Sequence, residues 1–233
     1  MRDRSYATRP VVRSLTTATD LVLLTPRRRS LAVLLLRSTD SRARDRWILP
    51  WDACRGDEGP EQTAMRVSRT LIGSTPASLE QIGAFGDGRR HPGDAQLSVS
   101  FVGLVPMGFG VEALDGAEWV NVEELPTLAP RHRTILDATI DVVRRRVDQS
   151  PLAFRLLPTT FTLSDLQGVY ELLLGRTLHK ASFRRALHGA LLVEPTDEWR
   201  SEGRGRPAQL YRFAPRRRRG GRRGIRFDSI ETT

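Results

Sequence analysis

Apolar residues in the C-terminal third of the chain recur at helical spacing. Within residues 162–187 this stripe comprises Leu163, Leu166, Val169, Tyr170, Leu173 and Leu174. Thr162 and Asp165 have the spacing of a capping box, and Gly175 stands where a left-handed residue commonly ends a helix. A second helix is predicted over residues 179–188, with Phe183 and Leu187 on its inner face. The stretch is therefore predicted to be two short helices joined by a tight turn.

The outer face of the second helix carries cations and a hydroxyl group. Its members are Lys180, Ser182, Arg184, Arg185 and His188. Residues 191–195 and 208–213 are predicted strands, and the polar loop between them is EWRSEGRGRP. Helix, helix and β-hairpin is the order of a winged helix-turn-helix, whose wing would place Arg200, Arg204 or Arg206 along the phosphate backbone or in the minor groove. The alternative is a helical hairpin with a solvated charged face.

The preceding part alternates strands with two helices. Strands are predicted at residues 19–24, 31–37, 47–49, 81–85, 96–105 and 116–122, and helices at 60–71 and 131–147. This order predicts an α/β/α layered domain, and the whole chain an α+β fold. The expected divisions are a basic arm (1–16), the layered domain (17–149), the winged helix domain (150–215) and a basic disordered tail (216–233).

Composition narrows the function further. The chain has 233 residues and one cysteine, Cys54, so no internal disulfide forms, which fits a cytoplasmic protein. One cysteine and four histidines make a structural zinc site unexpected, and the sequence lacks the ~18-residue apolar run of a membrane span. The net charge is +10, and residues 151–233 hold 16 Lys and Arg against 8 Asp and Glu. This asymmetry indicates an anionic partner, such as nucleic acid, for the C-terminal part.

Residues 47–73, WILPWDACRGDEGPEQTAMRVSRTLIG, resemble the signature box of the Nudix hydrolases. In that family a glycine-led loop and a helix present glutamates that hold divalent metal ions against a nucleoside diphosphate. Here Asp52 replaces the leading glycine, while Glu58, Arg66 and Gly73 keep their positions. The three metal-binding glutamate positions are Val67, Thr70 and Leu71. Magnesium needs hard oxygen ligands, so the sequence predicts no metal, no cofactor and no catalytic residue.

From about Leu21 to Phe213, the chain resembles the Nudix-related transcriptional regulator family, NrtR. The resemblance rests on LEQIGAFGDGRRHPG, AEWVNVEELPTLAP, SPLAFRLLP, FTLSDLQGVYELLLGRTLHKASFRR and GRPAQLYRF, in that order. It implies a homodimer that binds a palindromic operator in double-stranded DNA, represses genes of NAD metabolism or sugar catabolism, and responds to ADP-ribose or a related metabolite. The chain departs from the family pattern at His91, at Arg131 and at Ser182. The first two positions bear on the effector, and the third bears on the operator.

Our hypothesis is that the box has become a sensor for a nucleotide or sugar phosphate. Arg66 and Arg69, with Arg55 or Arg90, would neutralise a phosphate without magnesium, and Trp51 or Phe85 would stack on a base or sugar. The alternative for Arg66 is a structural ion pair. On the DNA side, Lys180, Ser182, Arg184 and His188 are expected at base edges, and Arg185, Arg204 and Arg206 at phosphates. Two other functions stay open: a Nudix pyrophosphohydrolase acting on ADP-ribose-like nucleotides, and a nucleic-acid scaffold that uses the basic tail.

Overall fold

The computed structural model describes residues 15–27, 30–39, 46–106, 116–147, 149–201, 206–214 and 225. The N-terminal half contains β1 (Thr17–Arg27), β2 (Ser30–Arg37), β3 (Trp47–Ile48), β4 (Trp51–Asp52), α1 (Pro60–Ile72), β5 (Ser78–Phe85), β6 (Leu97–Leu104), β7 (Ala117–Asn121) and α2 (Pro130–Arg146). The C-terminal half contains a 3₁₀ helix (Leu152–Leu156), β8 (Thr160–Phe161), α3 (Leu163–Leu174), α4 (Lys180–Ala190), β9 (Val193–Arg200) and β10 (Ala208–Phe213). No described helix is long and apolar enough to cross a membrane.

Among the described residues, seven strands form one mixed sheet in the order β3-β2-β1-β6-β5, with β4 added beside β1 and β7 beside β2. The central strand β1 runs parallel to β6 and antiparallel to β2. Leu21 and Leu23 of β1 pack in the cluster that contains Ala64 and Val67 of α1. Val22 and Leu24 pack with the buried residues of α2. Because successive side chains of a strand face opposite sides, this alternation buries both faces of the sheet and confirms the α/β/α sandwich.

The helix that carries the Nudix-like box has clear sequence limits. Pro60 occupies the first turn of α1, where its missing N–H costs nothing. Gly73 ends the helix in the left-handed region, with φ 67°, and its N–H donates to the Arg69 carbonyl. Since both limits agree with the predicted ones, the frame of the box is intact in the fold.

The C-terminal half forms the expected helix-turn-helix with a three-stranded sheet in the order β8-β10-β9. The Asp165 N–H donates to Thr162 Oγ1, and the Thr162 N–H donates to Asp165 Oδ2, so the predicted capping box forms. Gly175, with φ 67°, ends α3. The short strand β8 was not predicted, because it has two residues and takes its pairing from Tyr211 and Arg212 of β10.

Residues 149–160 join the two halves and contain the 3₁₀ helix Leu152–Leu156. Leu152, Ala153, Phe154 and Leu156 are buried, and the Phe154 ring lies 4.4 Å from that of Phe213. One continuous cluster of buried apolar side chains runs from Val22 of β1 to Leu192 after α4. The two halves therefore share a core, and the proposed domain limits stay a prediction. The expected basic arm and tail lie outside the described residues, apart from Leu15 and Thr16 and from Ile225, which is buried in this cluster.

Candidate effector pocket and nucleic-acid interface

Helix α4 presents the cationic face that the sequence predicts. Phe183 and Leu187 are fully buried against α3, which fixes the rotation of the helix. Among the other side chains of the helix, Lys180, Arg184, Arg185 and His188 are exposed and Ser182 is half-buried. The Ser182 hydroxyl lies 3.2 Å from His179 Nδ1 at the start of the helix. The arrangement leaves three permanent cations free to approach an anionic surface.

The wing differs from the prediction at Arg200. The loop begins later than predicted, because β9 continues through Glu198, Trp199 and Arg200. The Arg200 guanidinium donates to both carboxylate oxygens of Asp165, at 2.9 and 2.7 Å, instead of extending toward a phosphate. Of the other two wing arginines, Arg206 is exposed, whereas Arg204 lies outside the described residues.

A pocket of about 270 Å³ lies beside the Nudix-like box. Its lining residues are Leu36, Trp51, Asp52, Arg55, Arg66, Val67, Thr70 and Leu71. The three positions that are glutamates in the hydrolase pattern thus face this pocket as valine, threonine and leucine. The pocket is where a hydrolase would hold its metal and its diphosphate, but its floor is largely apolar.

The carboxylates that remain in the box are held by Arg66. Its guanidinium donates to Glu58 at 2.7 Å and to Asp52 at 2.6 Å. The hydrogen bond from Arg66 lowers the pKa of Glu58 to about 2. Burial alone would raise the pKa of Asp52, but hydrogen bonds from Arg66 and from the Ala53 N–H outweigh it and lower that pKa. Reciprocally, the two carboxylates raise the pKa of Arg66.

These contacts show that the residues present do not fit a magnesium site. Magnesium takes carboxylate ligands in near-octahedral geometry, and the two acids nearest the pocket already neutralise an arginine. They also show Arg66 in the structural ion pair that was the alternative to phosphate binding. Whether Arg66, which also lines the pocket, contributes charge to a ligand stays a prediction.

The other effector candidates divide into two groups. Trp51 and Arg55 line the pocket, with Arg55 mostly exposed and paired to Asp52 at 2.7 Å. Arg69, Phe85 and Arg90 do not line it. Arg69 is exposed, Phe85 packs against the core cluster, and Arg90 lies on the long loop 3.3 Å from Asp94. Phe101, also considered for stacking, is buried in the core at 5% exposure.

The sequence did not suggest the buried polar cluster of Asp20, His91 and His132. His91 Nε2 and His132 Nε2 lie 3.0 and 2.8 Å from the same carboxylate oxygen of Asp20, and all three side chains are buried. Burial would raise the pKa of Asp20, but the two histidines overcome it and lower that pKa. Burial lowers the pKa of His132. The only sequence signal was that His91 and His132 stand at or beside departures from the family pattern.

A second cavity, of about 660 Å³, lies at the joint between the two halves. Leu31 and Val122 line it from the sheet, and Val169 and Leu172 line it from α3. Arg144 of α2 packs over Gly175 so closely that a Cβ there would lie 2.8 Å from its guanidinium. Residues from both halves of the chain thus meet at this cavity.

Two family models match the chain. The NUDIX domain model matches residues 15–139, and the model of the NrtR DNA-binding winged helix domain matches residues 153–213. The chain is 29% identical over 202 residues to the "ADPR responsive transcriptional repressor NtrR" of Acinetobacter baylyi. The aligned region covers 84% of this chain and 80% of that protein.

Solved structures agree with these matches. The crystal structure of Shewanella oneidensis NrtR complexed with a 27mer DNA is similar with a TM-score of 0.75 and 28% identity, over 85% of this chain and 94% of that one. A MutT/nudix family protein from Enterococcus faecalis shares the fold, with a TM-score of 0.70 and 20% identity over 87% of this chain and 89% of that one. In this chain a NUDIX domain is followed by an NrtR winged helix domain. The chain therefore belongs to the family of Nudix-related transcriptional regulators, NrtR.

Proposed function

We propose that this protein is a sequence-specific DNA-binding repressor whose Nudix domain binds ADP-ribose or a related nucleotide and has no hydrolase activity. The observation that carries the proposal is the pairing of two features in one chain. Helix α4 exposes four basic side chains on a packed helix-turn-helix, and the adjoining Nudix pocket has apolar residues at its metal positions. The relative from Shewanella oneidensis was solved with DNA, and the relative from Acinetobacter baylyi is described as ADPR-responsive.

On the DNA side, α4 enters the major groove. Lys180, Ser182, Arg184 and His188 contact base edges, because none of them is held in the buried contact that Phe183 and Leu187 make. Arg185, Arg204 and Arg206 contact phosphates and supply the salt-dependent part of the affinity. A homodimer on a palindromic operator doubles this small contact area.

On the effector side, the pocket beside Trp51 and Arg55 binds the ligand without magnesium. Arg55 is the more exposed of the two arginines that line the pocket, since its side chain is 69% exposed and that of Arg66 is 25% exposed. Contacts of Arg69 and Arg90 with the ligand stay predictions from the sequence, since neither lines the pocket. The pocket is near the small end of the ~300–1,000 Å³ range of ligand sites, so it suits one half of a dinucleotide, with the rest on the surface.

The effector acts by changing the relative position of the two halves. Their shared core and the joint between Leu31, Val122 and α3 connect the sensor to the DNA-binding helices. Coupling of this kind requires that ADP-ribose have different affinities for the DNA-bound and free states.

DNA binding is tested with the full chain and a pool of randomised duplexes of about operator length. The protein is expected to enrich a palindromic sequence, and ADP-ribose is expected to release that duplex, as followed by fluorescence anisotropy at fixed salt. NAD and pentose phosphates are titrated in parallel. Binding of all duplexes with equal affinity and a steep salt dependence would support the scaffold function instead.

The effector site is tested with matched arginine variants. Arg55→Ala is expected to weaken ADP-ribose binding in calorimetry, whereas Arg133→Ala is expected to have no effect. Arg133 is a suitable control because it is 51% exposed and paired to Asp137 on α2, away from the pocket. Hydrolysis of ADP-ribose with magnesium is measured in the same samples, and turnover above that of a heat-treated sample would establish the pyrophosphohydrolase alternative.

A further inference from the structure

The Asp20 cluster connects the central strand of the sandwich to the wall of the effector pocket. His91 on the long loop and His132 on α2 both lie against Asp20 of β1, within 3.0 Å of its carboxylate. Asp20 is also the residue opposite Trp51 in the antiparallel pair of β1 and β4. A change at the cluster is therefore adjacent to Trp51 in space, although it is remote in sequence.

The hydrogen bonds fix which ring nitrogens carry protons. The Gly93 N–H donates to His91 Nδ1 at 2.9 Å, and the Leu49 N–H donates to His132 Nδ1 at 2.9 Å. Each neutral ring therefore carries its proton on Nε2, facing Asp20. A metal ion on these Nε2 atoms would need the opposite tautomer, with Nδ1 as a donor. The cluster of two histidines and a carboxylate is thus a structural hydrogen-bonded unit.

This unit holds the indole of Trp51 in place. The His91 ring contacts it edge to face, with centroids 4.7 Å apart and an interplanar angle of 82°. Gly93 packs against its other edge, and a Cβ on Gly93 would lie 2.1 Å from the indole. The Leu49 N–H bond to His132 and the Leu21 N–H bond to the Pro50 carbonyl fix the backbone just before Trp51. The indole is therefore confined by His91 and Gly93 to a single position.

We propose that His91 and Gly93 are positioning residues of the effector pocket, which set the affinity for a nucleotide by holding Trp51 in its wall. The inference rests on the proposed function of that pocket as a nucleotide sensor. Neither residue lines the pocket, so both act through Trp51. Stacking on an aromatic ring depends on the ring being in place before the ligand arrives, because a ring that must first be ordered loses part of the binding free energy.

The test uses the full chain with four substitutions. Gly93→Ala forces the indole to move, and His91→Leu removes both hydrogen bonds of the ring. His91→Gln retains an amide N–H that can donate to Asp20, so it is the conservative variant. Gly86→Ala is the matched control in the same loop, since a Cβ there meets only Leu97 and the Gln96 carbonyl, at 3.5 and 3.6 Å.

Two quantities are measured for each variant. Calorimetry gives the dissociation constant for ADP-ribose. Acrylamide quenching, corrected by the same variant carrying Trp51→Phe, gives the exposure of Trp51 alone. Gly93→Ala and His91→Leu are expected to weaken ADP-ribose binding about tenfold or more and to increase quenching, as the usual contribution of base stacking indicates. Gly86→Ala is expected to match the wild type, His91→Gln to recover part of the loss, and operator affinity without ADP-ribose to stay unchanged.

The outcomes separate the two proposals. If Gly93→Ala and His91→Leu bind ADP-ribose as tightly as the wild type, the positioning role is overturned and the sensor function stands. If the wild type itself binds no ADP-ribose, the sensor function fails. In that case the quenching data still decide whether His91 and Gly93 hold Trp51 in place. Unchanged quenching in Gly93→Ala and His91→Leu would overturn that positioning role as well.

Discussion

The ion pair between Asp165 and Arg200 offers the sharpest test of how the wing is attached. Asp165 closes the capping box of α3 through the Thr162 N–H, at 2.8 Å, and accepts two hydrogen bonds from Arg200 of β9. One carboxylate therefore joins the first helix of the DNA-binding unit to the wing strand. Asp165→Ala removes both connections, Asp165→Asn keeps an oxygen for the cap but loses the charge, and Arg200→Ala removes the pair and leaves the cap.

The expected losses of stability follow from the exposure of the Arg200 and Asp165 side chains. The side chains of Arg200 and Asp165 are 35% and 24% exposed, so the pair contributes about 0.5–1 kcal/mol, near the upper end for surface pairs. The loss of a helix cap costs typically ~1 kcal/mol. We expect Asp165→Ala to lower the free energy of unfolding by about 2 kcal/mol, and Arg200→Ala and Asp165→Asn by about 1 kcal/mol each. The double variant should show a coupling energy of about 0.5–1 kcal/mol.

Urea denaturation gives the stabilities, and Trp199, which is 56% exposed beside Arg200, is a local fluorescence reporter. DNA affinity is measured at several salt concentrations on the selected duplex. Because Arg200 is paired within the protein, Arg200→Ala should leave the salt slope unchanged. A coupling energy near zero, together with a slope reduced by about one unit, would show that Arg200 contacts a phosphate and that the pair with Asp165 is not the working arrangement.

Three further predictions concern other parts of the chain. Arg184→Ala should cost about 1–3 kcal/mol of DNA affinity and relax sequence preference, whereas Arg133→Ala should do neither; unaltered preference on single-base variants of the duplex would mean that α4 is oriented differently. The free energy of unfolding should fall as the pH drops below 6.5, because burial lowers the pKa of His132 in the folded protein, so the unfolded chain binds a proton on His132 at higher pH. A further loss should follow below pH 3.8, since the folded protein also has a lowered pKa at Asp20 and the unfolded chain binds that proton first. His132→Gln should flatten the first part of this profile in urea titrations at several pH values. Leu191 has a left-handed backbone, with φ 52°, and its side chain is 41% exposed. Leu191→Gly should therefore stabilise the protein by about 0.5–1 kcal/mol, and a lower melting temperature would contradict this.

The sequence predicted the elements that depend on local signals. The two ends of α1, the capping box of α3 and the left-handed Gly175 follow from residues within one or two turns, and the structure has all of them. The layered fold followed because period-2 and period-3.6 patterns are set by burial on one or both faces. The two-residue strands β4 and β8 escaped prediction, because they pair with distant strands and have no periodicity of their own.

The site was predicted only in outline. The sequence placed Trp51 and Arg55 in the box, where they line the pocket, and it showed that the metal-binding glutamates are missing. It could not show that Arg66 is occupied, because its partners Asp52 and Glu58 lie 14 and 8 residues away in the chain. For the same reason it assigned Arg200 to a phosphate, although Asp165, 35 residues earlier, holds its guanidinium.

By itself the sequence determined which half of this protein carries the excess of positive charge and which half lacks glutamates at the metal-binding positions of the hydrolase pattern, since charge and ligand type belong to individual residues. Only the tertiary structure decided which of those charges are available and what holds the pocket in shape. Ion pairing and burial join side chains from different elements, as Asp20, His91 and His132 do across 71 to 112 positions of the chain. No local pattern encodes that convergence, because it arises only when the sheet, the long loop and α2 pack together.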